Sequence, residues 1–109
     1  MAEAGVTVAR TQEIPVGQCK PVQVRGKNLL VCHTEQGFYV IDDTCTHDDG
    51  PLADGWLEGN AIECPRHGAR FDVTTGHVLC LPAAVPIRSY PVKVEGDDIT
   101  VQLGGTRDA

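Results

Sequence analysis

The sequence predicts an all-β fold, with many short strands folded into antiparallel, sandwich- or barrel-like sheets. Three observations carry that reading. No apolar repeat at the helical period of about 3.6 residues persists along the chain. Turn signals built on Gly, Asn, Asp and Pro recur between short apolar runs. Hydrophobic residues make up 41% of the chain but aromatic ones only 5%, so the core must be built mostly from Val, Ile and Leu.

Taken in order, Val6-Thr7-Val8-Ala9 reads as a first strand, followed by a loop through Ile14-Pro15-Val16-Gly17. Val22 to Arg25 alternates and meets a turn at Gly26-Lys27-Asn28, and Asn28 to His33 is the return strand. Gln36-Gly37 makes a second turn before the β-rich run Phe38-Tyr39-Val40-Ile41. Leu52 to Gly59 carries glycine breaks and is expected to be a loop, with Ala61-Ile62-Glu63 a short strand after it. Arg70-Phe71-Asp72-Val73 should pair back across Thr74-Thr75-Gly76. Pro82 to Pro86 is bounded by prolines and reads as a stiff loop. The tail is expected to form a hairpin, Ser89 to Glu95 against Ile99 to Leu103, turning at Gly96-Asp97-Asp98 and fraying from Gly104.

A length of 109 residues fits one small domain spanning 1–109. Nine basic against fifteen acidic residues leave a formal charge of −6, which argues against nucleic acid or an anionic membrane as partner. No run approaches the length of a membrane span, and Met1-Ala2-Glu3-Ala4-Gly5 lacks the basic and apolar regions of a signal peptide. The expectation is a soluble, cytoplasmic protein, monomeric by default. Of five cysteines, Cys19, Cys32 and Cys80 are scattered and read as reduced thiols, with Cys32 and Cys80 in the core and Cys19 in a loop.

The remaining two cysteines organise the chain. Cys45-Thr46-His47 is followed, after sixteen residues, by Cys64-Pro65-Arg66-His67, giving C-x-H and then C-x-x-H. Each short loop offers one thiolate and one imidazole, so the pair can close on a small metal centre from two sides. A tetrahedral Zn²⁺ accepts two Cys and two His, but zinc fingers usually take both Cys from one loop and both His from the other. Mixed loops suit a [2Fe–2S] cluster in which one iron takes both cysteines and the other both histidines.

At these residues the sequence resembles the Rieske family. The two boxes run Cys45-Thr46-His47-Asp48-Asp49-Gly50-Pro51-Leu52 and Cys64-Pro65-Arg66-His67-Gly68-Ala69-Arg70-Phe71-Asp72. The resemblance implies a small cluster-binding subdomain over about residues 43–69, carried on a β base and covered by a Pro-rich loop at about 81–87. It implies one [2Fe–2S] cluster held by Cys45, His47, Cys64 and His67, with the histidine edge as the electron exit.

Ligation sets the redox range. Two ferric irons, two sulfides, two thiolates and two neutral imidazoles sum to zero formal charge, so adding an electron is easier than to an all-cysteine cluster. The expected range is about −150 to +300 mV. Hydrogen bonds to the sulfurs decide the position within it. High-potential Rieske proteins of the cytochrome bc type place a serine and a tyrosine where this chain has Ala69 and Phe71. Their extra disulfide-forming cysteines fall here at Asp49 or a neighbour and at Arg66. The resemblance is therefore to the low-potential ferredoxins of multicomponent aromatic-ring dioxygenases. It implies a one-electron carrier that is not catalytic alone, passing electrons from an NADH-dependent flavin reductase to a terminal oxygenase with Rieske and mononuclear iron centres. The competing settings are the Rieske-like small subunit of an NAD(P)H nitrite reductase and a zinc-stabilised binding module.

Other candidates have plain explanations. His33 and His77 lack a second ligand at useful spacing and read as packed or surface histidines. Trp56 and Leu57 are either docking contacts or packing under the cluster loops. Asp48, Asp49, Asp54 and Glu58 either steer a basic partner or are simply solvated, with Arg66 and Arg70 softening the acidity.

Overall fold

The computed structural model describes residues 5–43, 52–64, 68–80 and 87–102, apart from the side chains at 54 and 80. Among the described residues, eleven strands form three antiparallel sheets and the only helical pieces are two 3₁₀ turns, Thr11–Glu13 and Leu52–Asp54. The strands are β1 (Val6–Arg10), β2 (Cys19–Val24), β3 (Lys27–Thr34), β4 (Gly37–Asp42), β5 (Trp56–Glu58) and β6 (Ala61–Glu63). Then come β7 (Arg70–Asp72), β8 (Val78–Cys80), β9 (Ser89–Tyr90), β10 (Val92–Glu95) and β11 (Asp98–Val101). The sheet orders are β1-β11-β10, β2-β3-β4-β9 and β5-β6-β7-β8.

The central sheet is buried on both faces, and β3 shows why its sequence looks as it does. Leu29, Leu30, Val31 and Cys32 are all fully buried. Because strand side chains alternate, Leu29 and Val31 enter one core with Ala9, Val40, Ile99 and Val101. Leu30 and Cys32 enter the other, with Ile41, Leu52, Ile62, Cys64 and Phe71. A strand covered on both sides must be apolar at every position, and this one reads as a continuous run rather than an alternation. Pro21 is tolerated because β2 is the edge of that sheet.

Several expected boundaries move. The β2–β3 hairpin turns at Arg25 and Gly26, both with positive φ (51° and 81°), so Lys27 is already in the return strand opposite Val24. A two-residue turn with both φ positive matches the twist of the flanking strands, so the hairpin turns one residue earlier than the expected 26–28. The expected loop over 52–59 contains a strand: Trp56, Leu57 and Glu58 pair with Glu63, Ile62 and Ala61. Gly59 and Asn60 are the hairpin turn between them. The tail run from Ser89 is split, because Ser89 and Tyr90 pair with Ile41 and Val40 in the central sheet, while Val92–Glu95 pairs with β11 in another. Pro91, without an N–H, stands at the break. Cys19 belongs to β2, directly opposite Cys32, and not to a loop. The expected loop at Pro82–Pro86 and the tail from Gly104 lie outside the described residues.

Candidate metal centre

Of the four expected ligands, Cys64 is described; Cys45, His47 and His67 lie outside the described residues. Cys64 follows directly on β6 and is fully buried. Its N–H donates to Ala69 O (2.8 Å), and its carbonyl accepts the Gly68 N–H (3.1 Å). Those two bonds tie together the residues on either side of the 65–67 segment, and β6–β7 pairing, with Glu63 opposite Arg70, holds them rigid. The thiol faces the core shared with Leu52, Ala69 and Phe71. A dry thiol on a backbone fixed by two hydrogen bonds suits a metal ligand.

The other side of the site is anchored by a residue that sequence reasoning missed. Asp43, at the end of β4, donates its N–H to Asn28 O (3.0 Å), and its carboxylate accepts the Ala53 N–H (2.8 Å). It thereby joins the two ends of the 44–51 segment that carries Cys45 and His47. Leu52 seals the far end by full burial in the core that also takes Cys64. An Asp at a strand end is a recognisable capping signal. That its partner lies ten residues on is not visible locally.

Ala69 and Phe71, the positions read as lacking hydroxyls, are both fully buried. Around them the described core offers the apolar side chains of Leu52, Ile62, Val73 and Ile87. Gly76 is the second residue whose importance was missed. Its φ is +85°, and a Cβ would stand 2.1 Å from Ile87 O. Ile87 N–H donates to Gly76 O (3.0 Å), so this contact seats the residue that follows the Pro-rich segment. The sequence marks Gly76 as a turn but not as a close approach.

Outside the sheet, Arg70 lies between Glu58 and Glu63 and contacts both carboxylates. Its Nε is 3.3 Å from Glu63 Oε1 without hydrogen-bond alignment, so that contact is electrostatic. The two residues read together, Trp56 and Leu57, part company. Leu57 packs on the core, whereas Trp56 is 52% exposed, on the face of the sheet away from Ile62 and opposite Glu63. His33 is structural: its Nδ1 bonds to Ile14 O (2.6 Å) and its ring stacks on Phe38 at 3.8 Å. His77 is exposed in its turn. No helix among the described residues is long and apolar enough to cross a membrane.

Residues 4–91 match the Rieske [2Fe–2S] domain family. The ferredoxin component of the naphthalene 1,2-dioxygenase system of Pseudomonas aeruginosa is 43% identical over 103 residues, covering 94% of this chain and 99% of that one. The ferredoxin of carbazole 1,9a-dioxygenase from Nocardioides aromaticivorans superposes with a TM-score of 0.87 at 34% identity, covering 91% of this chain and 97% of that one. A chain in the complex of reduced oxygenase and oxidized ferredoxin in carbazole 1,9a-dioxygenase gives 0.85 at 33% identity, covering 90% and 92%.

This chain belongs to the Rieske [2Fe–2S] domain family. It is an electron carrier of that family and not an enzyme by itself, with a Rieske-type [2Fe–2S] cluster as its cofactor. The buried Cys64 thiol, its hydrogen-bonded loop base and the two-Cys, two-His donor set fit that group; the zinc module is set aside.

Proposed function

We propose that the chain is the ferredoxin of an aromatic-ring dioxygenase system. It takes single electrons from an NADH-dependent flavin reductase and delivers them to a terminal oxygenase containing Rieske and mononuclear iron centres. Cys45 and Cys64 would hold one iron and His47 and His67 the other, within a cluster-binding unit of about residues 43–69 under a Pro-rich cover at about 81–87. The bound cluster supplies reversible one-electron chemistry and nothing else. The protein's own part is to fix the ligands, through Asp43 and the Cys64–Ala69 loop base, and to exclude water, through Leu52, Ala69 and Phe71.

What carries this reading is the end-to-end similarity to dioxygenase ferredoxin components. The buried, hydroxyl-free pair Ala69 and Phe71 supports a low potential, suited to an oxygenase acceptor rather than to quinol chemistry. A monomer in the cytoplasm with a small, short-lived interface is what a shuttle between two enzymes needs. Rapid mixing of the reduced protein with the terminal oxygenase of a naphthalene-type dioxygenase tests it. Reoxidation of this protein with matching reduction of the oxygenase is expected. A mixture in which both redox states stay unchanged would reject the assignment.

A further inference from the structure

Cys19 and Cys32 face each other across the β2–β3 ladder, with their sulfurs 3.1 Å apart. The His33 N–H donates to Gln18 O one step beyond the pair (3.0 Å). In an antiparallel ladder this makes Cys19 and Cys32 a pair that exchanges no backbone bonds. At such sites the Cα atoms stand about 4.5 Å apart and side chains are closest. That spacing lies inside the range a disulfide spans, about 4.4–6.8 Å. Neither cysteine belongs to the cluster boxes, and their exposures differ: Cys19 is part-exposed on the edge strand, while Cys32 is fully buried.

We propose that Cys19 and Cys32 form a redox-active dithiol site that takes low-molecular-weight disulfides as its oxidant and closes to an intramolecular disulfide. The division of labour follows from exposure. The Cys19 thiolate attacks one sulfur of the small disulfide, whose S–S bond breaks and releases one thiol, leaving a mixed disulfide on Cys19. Cys32 Sγ, already in van der Waals contact, attacks Cys19 Sγ, gives up its proton to the departing thiolate and releases the second thiol. The two protein thiols lose two electrons and the small disulfide gains them. A dithiol reductant reverses both steps. β2 also packs on the Leu52–Asp54 turn, so the bond would brace the strand on which that turn rests.

The test uses the cluster-loaded protein carrying Cys80→Ser, titrated with 2,2′-dithiodipyridine under nitrogen. Release of about two equivalents of thiopyridone is expected, with no label retained, a mass loss of roughly two hydrogens, unchanged iron content and a Cys19–Cys32 linked peptide. Adding Cys32→Val should halve the release to about one equivalent and leave the label on Cys19. Adding Cys19→Ser, a milder change on the edge strand, should leave Cys32 unlabelled and abolish the linked peptide. A label that persists on Cys19 in the Cys32-containing protein, an intermolecular dimer, or a fully folded protein whose Cys19 does not react would overturn the proposal.

Discussion

The carboxylate of Asp43 accepts the backbone N–H of Ala53 at 2.8 Å, bridging the ends of the segment that bears Cys45 and His47. Asp43→Ala would leave a part-buried N–H without its partner and cut the tie between the two ends of that segment, while the backbone bond to Asn28 stays. The cost expected is about 1–2 kcal/mol, and it should fall on the cluster loop rather than on the sheets. Asp43→Asn keeps an acceptor oxygen and should lose less. Iron release into a chelator, timed for both variants, checks this ranking. Equal rates for the two variants and the parent would show that the bridge does not hold the loop.

Gly76 is constrained twice, by its φ of +85° and by the 2.1 Å that would separate a Cβ from Ile87 O. The blocking atom is backbone, so no side chain can swing aside. Gly76→Ala is expected to destabilise the fold by at least about 2 kcal/mol, more than the alanine penalty at a merely left-handed glycine. Gly59, also at positive φ (+61°) but with open space around its Cβ position, is the control. Urea unfolding of the two alanine variants should place Gly76→Ala well below Gly59→Ala, and coincident midpoints would remove the close approach as the cause.

Much of this was legible in the sequence, and what escaped has a common cause. The C-x-H and C-x-x-H boxes declare their chemistry through residue type and short spacing, and Ala61–Glu63 reads as the strand it is. Trp56–Glu58 was hidden because three residues between glycines carry no period of their own; pairing with β6 makes them a strand. Ser89 and Tyr90 look continuous with Val92–Glu95 because alternation does not say which sheet a strand joins. The roles of Asp43 and Gly76, like the meeting of Cys19 with Cys32, depend on partners ten or more residues away. Local signals name the residue but not the contact.

The absence of hydroxyls at Ala69 and Phe71 makes a prediction about potential. Both side chains are fully buried in the core that contains the Cys64 thiol. A hydroxyl placed there can donate toward sulfur and favour the reduced state. Ala69→Ser and Phe71→Tyr are each expected to raise the reduction potential, by on the order of tens of millivolts, with the double variant highest. Voltammetry on cluster-loaded protein reads this directly. An unchanged or lowered potential in the double variant, with iron content intact, would refute the link drawn between these two positions and a low potential.

Tyr90 links the central sheet to the strand end that leads into the site, its hydroxyl donating to Asp42 Oδ1 at 2.5 Å. Burial first, and the Asp42 carboxylate second, push the phenol well above its ordinary value of 10.0. A group whose pKa is raised by folding stabilises the fold fully below its unfolded value. That contribution fades as pH climbs from about 10 toward the raised folded value. The Cys32 thiol is also held up from 9.0, by the neighbouring Cys19 sulfur and then by burial, and it weakens the fold with the same sign. Comparison with Tyr90→Phe isolates the tyrosine, because Cys32 is common to both proteins. At neutral pH the variant should be less stable by about 1–2 kcal/mol, for loss of the hydrogen bond to Asp42. Above pH 10 the gap should narrow, since phenylalanine has no proton to lose. Chemical unfolding followed from neutral to strongly alkaline pH measures the gap. If it stays constant, ionisation of Tyr90 makes no contribution to alkaline weakening.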